Sequence, residues 1–184
     1  MEELLNVVNE NDEVIGVETR EKIHQEGLLH REVSVYFITP DREIIFQRRS
    51  KNKSACPDLL GAAVAGHVAA GETYEKTAER EALEETSILI NKDDLILVRK
   101  DRASQPRSIG KKENNIFRSR YLYVYRGQIN DLKIEDNEGA GFESWPIKNL
   151  MNMSDIDKLK FVPSTIKFVT EELIEFIKDL KFQF

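Results

Sequence analysis

The stretch that most restricts how this chain can fold runs from Gly66 to Ile88, GHVAAGETYEKTAEREALEETSI. From Thr73 to Thr86 it is rich in Glu, Ala and Leu, and Tyr74, Ala78 and Ala82 recur at the spacing of one helical face. Thr73 is placed to cap the helix start. Glu75 then lies in the first turn, where the helix dipole favours negative charge. Glu81, Glu84 and Glu85 fall at i, i+3 and i+4, so three carboxylates share one face. At about 6 Å apart such charges repel by a few kcal/mol per pair at an effective dielectric of about 20. Two outcomes follow. The carboxylates spread over a solvated surface, where screening weakens the repulsion, or they converge on a hard divalent cation that takes carboxylate oxygens and water.

The remaining pattern alternates strands with helices. Leu4 to Val8 and Val14 to Val17 flank Asn9-Glu10-Asn11-Asp12 and predict a hairpin. Val33 to Ile38 and Ile44 to Phe46 flank Pro40-Asp41, a second strand, turn, strand unit. Arg48 to Pro57 is polar and basic and predicts a loop. Strands are expected at Leu95 to Val98, Ile116 to Tyr125 and Phe142 to Trp145, with a surface loop over Arg102 to Glu113 and a helical turn from Pro146. From Ser164 to Leu180, Ile166, Val169, Leu173, Ile174, Ile177 and Leu180 form a helical stripe that begins near Pro163. Elements in this order suggest an α/β sandwich. No repeat or linker divides the chain, which predicts one domain over residues 1–184.

Bulk properties remove several classes. The longest apolar run, around Leu59 to Ala65, falls far short of the ~20 residues of a membrane span. Met1-Glu2-Glu3 is acidic where an export signal is basic. Cys56 is the only cysteine, which excludes an intramolecular disulfide and fits a reducing, cytoplasmic setting. The formal charge of −6 argues against a protein that coats a nucleic-acid polymer. It also means that a phosphate substrate needs a cation between two anions.

Gly66, five residues, Glu72, seven residues, Arg80-Glu81, two residues, Glu84-Glu85 resembles the signature of the Nudix hydrolases. Six fixed identities at ~7% usage each coincide about once in ten million windows, so the resemblance is specific. It implies a Nudix-type α/β/α sandwich with a mixed sheet, an N-terminal β-hairpin and a C-terminal helix. It also implies Mg²⁺ or Mn²⁺ held by Glu81, Glu84, Glu85 and the Gly66 carbonyl, with Glu72 and Arg80 as a structural ion pair. The implied reaction is attack of a cation-activated water on a diphosphate, with Glu84, Glu85 or Glu138 as catalytic carboxylates and Glu143 a further candidate base. Ser87 departs from the family's glycine. If that position needs φ > 0, serine costs on the order of 1 kcal/mol there.

Outside this box the chain is similar to the isopentenyl-diphosphate isomerase branch of the superfamily. The shared features are Leu29-His30, Arg48-Arg49-Ser50, Lys53, Pro57 and Gly66-His67. In those isomerases histidines and glutamates hold a metal, which implies His24, His30, His67 and Glu113 as counterparts. Orienting hydrogen bonds are the competing role for the histidines. The isomerase catalytic cysteine and glutamate are replaced by Ala65 and Asn115, which can neither give nor accept the required proton.

Arg48, Arg49 and Lys53 are candidate substrate-binding cations, with a solvated basic loop as the alternative. The partner expected is a small-molecule diphosphate, a nucleotide first. Phe117, Tyr121, Tyr123 and Phe142 are candidates to stack on a base, with the strand core as their other role. A non-catalytic nucleotide sensor is the third class. The C-terminal helix either packs on its own sheet or pairs with a second subunit in a homodimer.

Overall fold

The computed structural model describes residues 2–53, 55–105, 114–134 and 139–180. Glu113 and Glu138 therefore lie outside the described residues. The N-terminal hairpin pairs β1 (Leu4–Val8) antiparallel with β2 (Val14–Thr19). Asp12 turns the chain at φ 60°, a left-handed conformation that a short polar side chain tolerates. A short helix, α1 (Arg20–Glu26), follows. Thr19 caps it at one end and Gly27 closes it at φ 66°. The sequence pattern missed α1 because Ile23 is its one buried residue, too little for an apolar period.

The main sheet is mixed. Its order is β5 (Leu60–Ala62), β4 (Glu43–Arg49), β3 (His30–Ile38), β8 (Asn114–Val124) and β7 (Ile96–Gln105). β6 (Val64–His67) pairs with the first half of β3, and β9 (Gly139–Pro146) pairs with β4. Only β3 and β8 run parallel among these pairs. Two expected loops begin later than predicted. Arg48 and Arg49 belong to β4, and β7 continues through Arg102 to Gln105 because its backbone pairs with Asn114 to Phe117. Ladder hydrogen bonds override the polar composition there.

Side chains on β3 alternate between two cores. Val33, Val35 and Phe37 meet Tyr74, Ala78 and Ala82 of α2 (Tyr74–Thr86). Tyr36 and Ile38 face the C-terminal helices instead. The small faces of Ala78 and Ala82 are fully buried and let α2 lie close on the sheet. Truncating Phe37, also fully buried, to alanine should cost about 3–5 kcal/mol. On the other face α3 (Ile147–Leu150) and α4 (Asp155–Lys158) lead to α5 (Pro163–Phe168), a π-helical turn (Val169–Leu173) and α6 (Ile174–Asp179). The π turn widens the helix so that Phe168, Val169, Leu173, Ile174 and Ile177 all reach the sheet. The C-terminal stripe thus packs on its own sheet. The result is the expected α/β/α layering. No helix among the described residues is long and apolar enough to cross a membrane.

Candidate active site on the glutamate helix

The site starts with two local devices. Thr73 accepts from the Lys76 backbone N–H at 3.2 Å and fixes where α2 begins. Ser87 ends it at φ 59°, the left-handed conformation that glycine adopts without strain. Between these ends, Arg80 organises the acidic face. Its guanidinium lies 3.1 Å from Glu72, 2.9 Å from Glu81 and 2.9 Å from Glu84. It also donates to the His67 carbonyl at 3.4 Å, which ties the helix to the end of β6. Glu72 accepts a further bond from Thr77 at 2.7 Å. Burial works against the Glu72 charge, but Arg80 and Thr77 outweigh it and hold the carboxyl below its ordinary range.

The three box glutamates share a face yet occupy different surroundings. Glu81 presses on Gly66. A Cβ added to Gly66 would fall 2.1 Å from the Glu81 carboxyl carbon, so any larger residue there requires the Glu81 side chain to move. Burial pushes the Glu81 carboxyl up to about 7 despite the pull of Arg80, and Glu84 and Glu3 push the same way. Glu85 is 5% exposed and accepts from the Ala65 N–H at 3.3 Å and from Gln47 at 3.4 Å. The Glu84 side chain is 46% exposed. Arg80 thus bridges Glu81 and Glu84, while Gln47 and a backbone N–H hold Glu85.

The basic candidates divide between the two faces of the sheet. Strand alternation puts Arg49 on the face of Gln47, and its guanidinium donates to the Ala55 carbonyl at 3.0 Å. Arg48 points the other way and pairs with Glu143 and with Asp58, the latter at 3.6 Å. Glu143 shares that far face with Trp145, which packs in the C-terminal core. The structure therefore does not bring Arg48 or Glu143 to the box glutamates; strand alternation sends them to the opposite layer. Lys53 closes a backbone turn on Ser50 at 3.1 Å. Of the aromatic candidates, Tyr121 is buried and donates to Glu75 at 2.8 Å, and Phe117, Tyr123 and Phe142 pack against the same core.

The isomerase counterparts are placed as follows. The Ala65 N–H serves Glu85, and Asn115 donates to the Gly27 carbonyl at 3.0 Å, a structural task at the end of α1. His24, His30 and His67 come together. Their ligand atoms all lie within 4.8 Å of one another, the one such group of three metal-ligating side chains among the described residues. Burial pushes the His67 imidazole down to about 3 against the attraction of Glu32. Sequence reasoning missed Glu32 and Gln47. Glu32 sits two residues from His30 on one strand, a weak signal that only pairing of β3 with β6 makes significant.

The chain is 26% identical over 157 residues to an uncharacterized Nudix hydrolase of Clostridium acetobutylicum, covering 84% of this chain and 75% of that protein. It spans about half of other curated Nudix relatives, 53% of one from Nostoc sp. and 46% of one from Streptomyces coelicolor. The crystal structure of the DR0079 protein of Deinococcus radiodurans superposes with a TM-score of 0.65 at 26% identity, covering 94% of this chain and 98% of that one. A bifunctional NMN adenylyltransferase/ADP ribose pyrophosphatase of Francisella tularensis, complexed with AMP and a Mn ion, shares the fold. Its TM-score is 0.55 at 18% identity, over 78% of this chain and 41% of that one. The NUDIX domain model matches residues 28–171, from the approach to β3 into the π turn, and this chain belongs to the Nudix family.

Proposed function

We propose that this protein hydrolyses a diphosphate linkage in a small nucleotide-type substrate, using Mg²⁺ or Mn²⁺ at Glu81, Glu84, Glu85 and the Gly66 carbonyl. The observation that carries the reading is the cradle at Gly66, where the Glu81 carboxyl occupies the volume a side chain would fill. The donors there are all hard oxygens, the set that suits these cations. When bound, the cation neutralises the diphosphate oxygens and lowers the pKa of its water.

The protein's own groups do the rest. Ala65 and Gln47 fix the direction of Glu85, so that carboxylate meets its ligand without searching rotamers. Arg80 compensates Glu81 and Glu84 until a cation takes over part of that work. Glu84, the most exposed of the three carboxylates, is placed to accept the proton of the attacking water, with Glu138 the alternative. Arg49 offers a planar guanidinium to a phosphate oxygen from the glutamate face. The nucleotide preference is supported by the AMP-bound Francisella relative of the same fold. A cytoplasmic location suits a chain with Cys56 as its single cysteine.

The test is a panel of nucleoside di- and triphosphates, ADP-ribose, dinucleotides and isoprenoid diphosphates, incubated with purified protein and Mg²⁺ or Mn²⁺. Cation-dependent release of phosphate or a nucleoside monophosphate is expected. Glu84→Gln and Glu85→Gln should each lower kcat by about a hundredfold or more while thermal melting is retained. Undiminished turnover in both variants would remove the assignment. An allylic diphosphate formed without phosphate release would point to the isomerase instead, and tight binding without turnover to a sensor.

A further inference from the structure

Burying Ile156 and Leu159 would remove two large aliphatic side chains from water, yet each is 76% exposed. They stand three residues apart, on α4 and at the residue that closes it, so they share one face of a single helical turn. Met151, in the turn that leads into α4, adds a third side chain at 53% exposure. Two shallow depressions of about 400 and 300 Å³ adjoin this turn and share Met153 as a wall. Asp157 borders the first and Lys158 the second, so α4 forms the ridge between them. Single exposed aliphatic residues are ordinary on any protein surface. A cluster of them with concave ground on both sides marks an interaction surface.

The charges around this pair select what covers it. From Asp155 to Lys160 the order is Asp, Ile, Asp, Lys, Leu, Lys. Read backwards, that order sets a base against each acid and an aliphatic residue against each aliphatic residue. Antiparallel pairing of two such segments therefore brings Asp155 of one copy level with Lys160 of the other, Ile156 with Leu159, and Asp157 with Lys158. Within the chain, Lys158 reaches Asp155 at 3.0 Å and Lys160 reaches Asp157 at 2.7 Å, which holds the charged groups beside the aliphatic face. Parallel pairing would set acid on acid and base on base. A strongly acidic or strongly basic partner would likewise meet half of the segment with its own charge.

We propose that this surface is a contact between two copies of the chain, in which α4 of one packs antiparallel beside α4 of the other about a twofold axis. Ile156 of each copy then covers Leu159 of the other, and each ridge enters a depression of its neighbour. A twofold contact must be self-complementary, and the segment meets that condition at both its aliphatic and its charged positions. The exposed ion pairs add little affinity but fix direction and register. A contact built on so short an element falls below the roughly 1,200 Å² of a stable interface, so the dimer is reversible, with a Kd on the order of 10–100 µM.

Sedimentation equilibrium of the full chain from about 1 to about 500 µM tests this, and a concentration-dependent shift from monomer to dimer is expected. Ile156→Glu and Leu159→Glu should each weaken self-association by at least about tenfold. Asp155→Lys and Lys160→Glu should each weaken it about tenfold, because both acid–base contacts across the axis become like-charged. An equimolar mixture of those two variants restores opposite charges at both contacts and should dimerise about as well as the unaltered chain. Should Lys160→Glu fail to fold by circular dichroism, Asp155→Lys, whose side chain stands 97% exposed, carries the charge test alone. A chain that stays monomeric at every concentration, dimers undiminished by Ile156→Glu, or a mixture no stronger than its separate variants overturns the proposal.

Discussion

Gly66 and His67 are neighbours on β6, yet they border two chemically different clusters of side chains. On the Gly66 side one Arg80 nitrogen holds both Glu81 and Glu84, and the Ala65 N–H holds Glu85. On the His67 side the imidazoles are gathered with their ligand atoms facing one another. The first arrangement is an acidic cluster compensated by one guanidinium. The second is a cluster of imidazoles beside the Glu32 carboxylate. Both lie within one strand's width because the side-chain period of a strand is two, and a slip of one residue in the β3–β6 register would exchange them.

The sharpest way to break the glutamate side is Gly66→Ala. The added methyl meets Glu81, so that carboxylate must move, and we expect a loss of about 2 kcal/mol in stability together with loss of Mg²⁺ response. Chemical denaturation and cation titration measure the two effects separately; an unchanged response would mean that Glu81 does not depend on the cradle.

The hairpin clamp comes next. Asp12 accepts from Arg31 at 2.6 Å and from Tyr74 at 3.0 Å, and pairs with Lys100. Burial opposes its charge, but these partners hold the carboxyl below its ordinary value. A carboxyl lowered in the folded state contributes stability that is present above its unfolded pKa of about 4 and is lost as pH falls through the lower folded value. Asp12→Asn should cost about 1–2 kcal/mol at neutral pH and flatten the acid limb of the stability profile. An unaltered acid limb would show that the clamp does not hold the hairpin to α2.

A smaller effect separates the two arginines. Arg49→Ala should raise KM about tenfold with kcat little changed. Arg48→Ala should leave KM within about twofold and cost less than about 1 kcal/mol, since its pairs with Glu143 and Asp58 are partly exposed. Equal changes in KM would mean that the far face contributes to the substrate site. The smallest expected change is a gain. Ser87→Gly should raise stability by up to about 1 kcal/mol, read as a higher Tm, because serine holds a left-handed φ there.

Much of the fold was legible wherever a period ran long enough. The hairpin, β3, β4, α2 and the C-terminal stripe all carried their pattern over several residues. α1, β5 and β6 did not, because α1 has Ile23 as its one buried residue and β5 and β6 are three and four residues long. The site divides along the same line. Glu72, Arg80, Glu81, Glu84 and Glu85 lie within one continuous segment, where spacing alone places them on one helix. The loss of the isomerase pair at Ala65 and Asn115 could also be read directly.

By itself, then, the sequence determined the acidic helix, its caps and the family signature, because local spacing sets which side chains share a helical face. Only the tertiary structure decided that Arg48 and Arg49 part company across the sheet, that Gln47 turns to Glu85, and that Glu32 joins three histidines drawn from α1, β3 and β6. Those relations depend on strand register and on which layer covers each face. Pairing between residues distant in the chain sets both, and no local pattern encodes them.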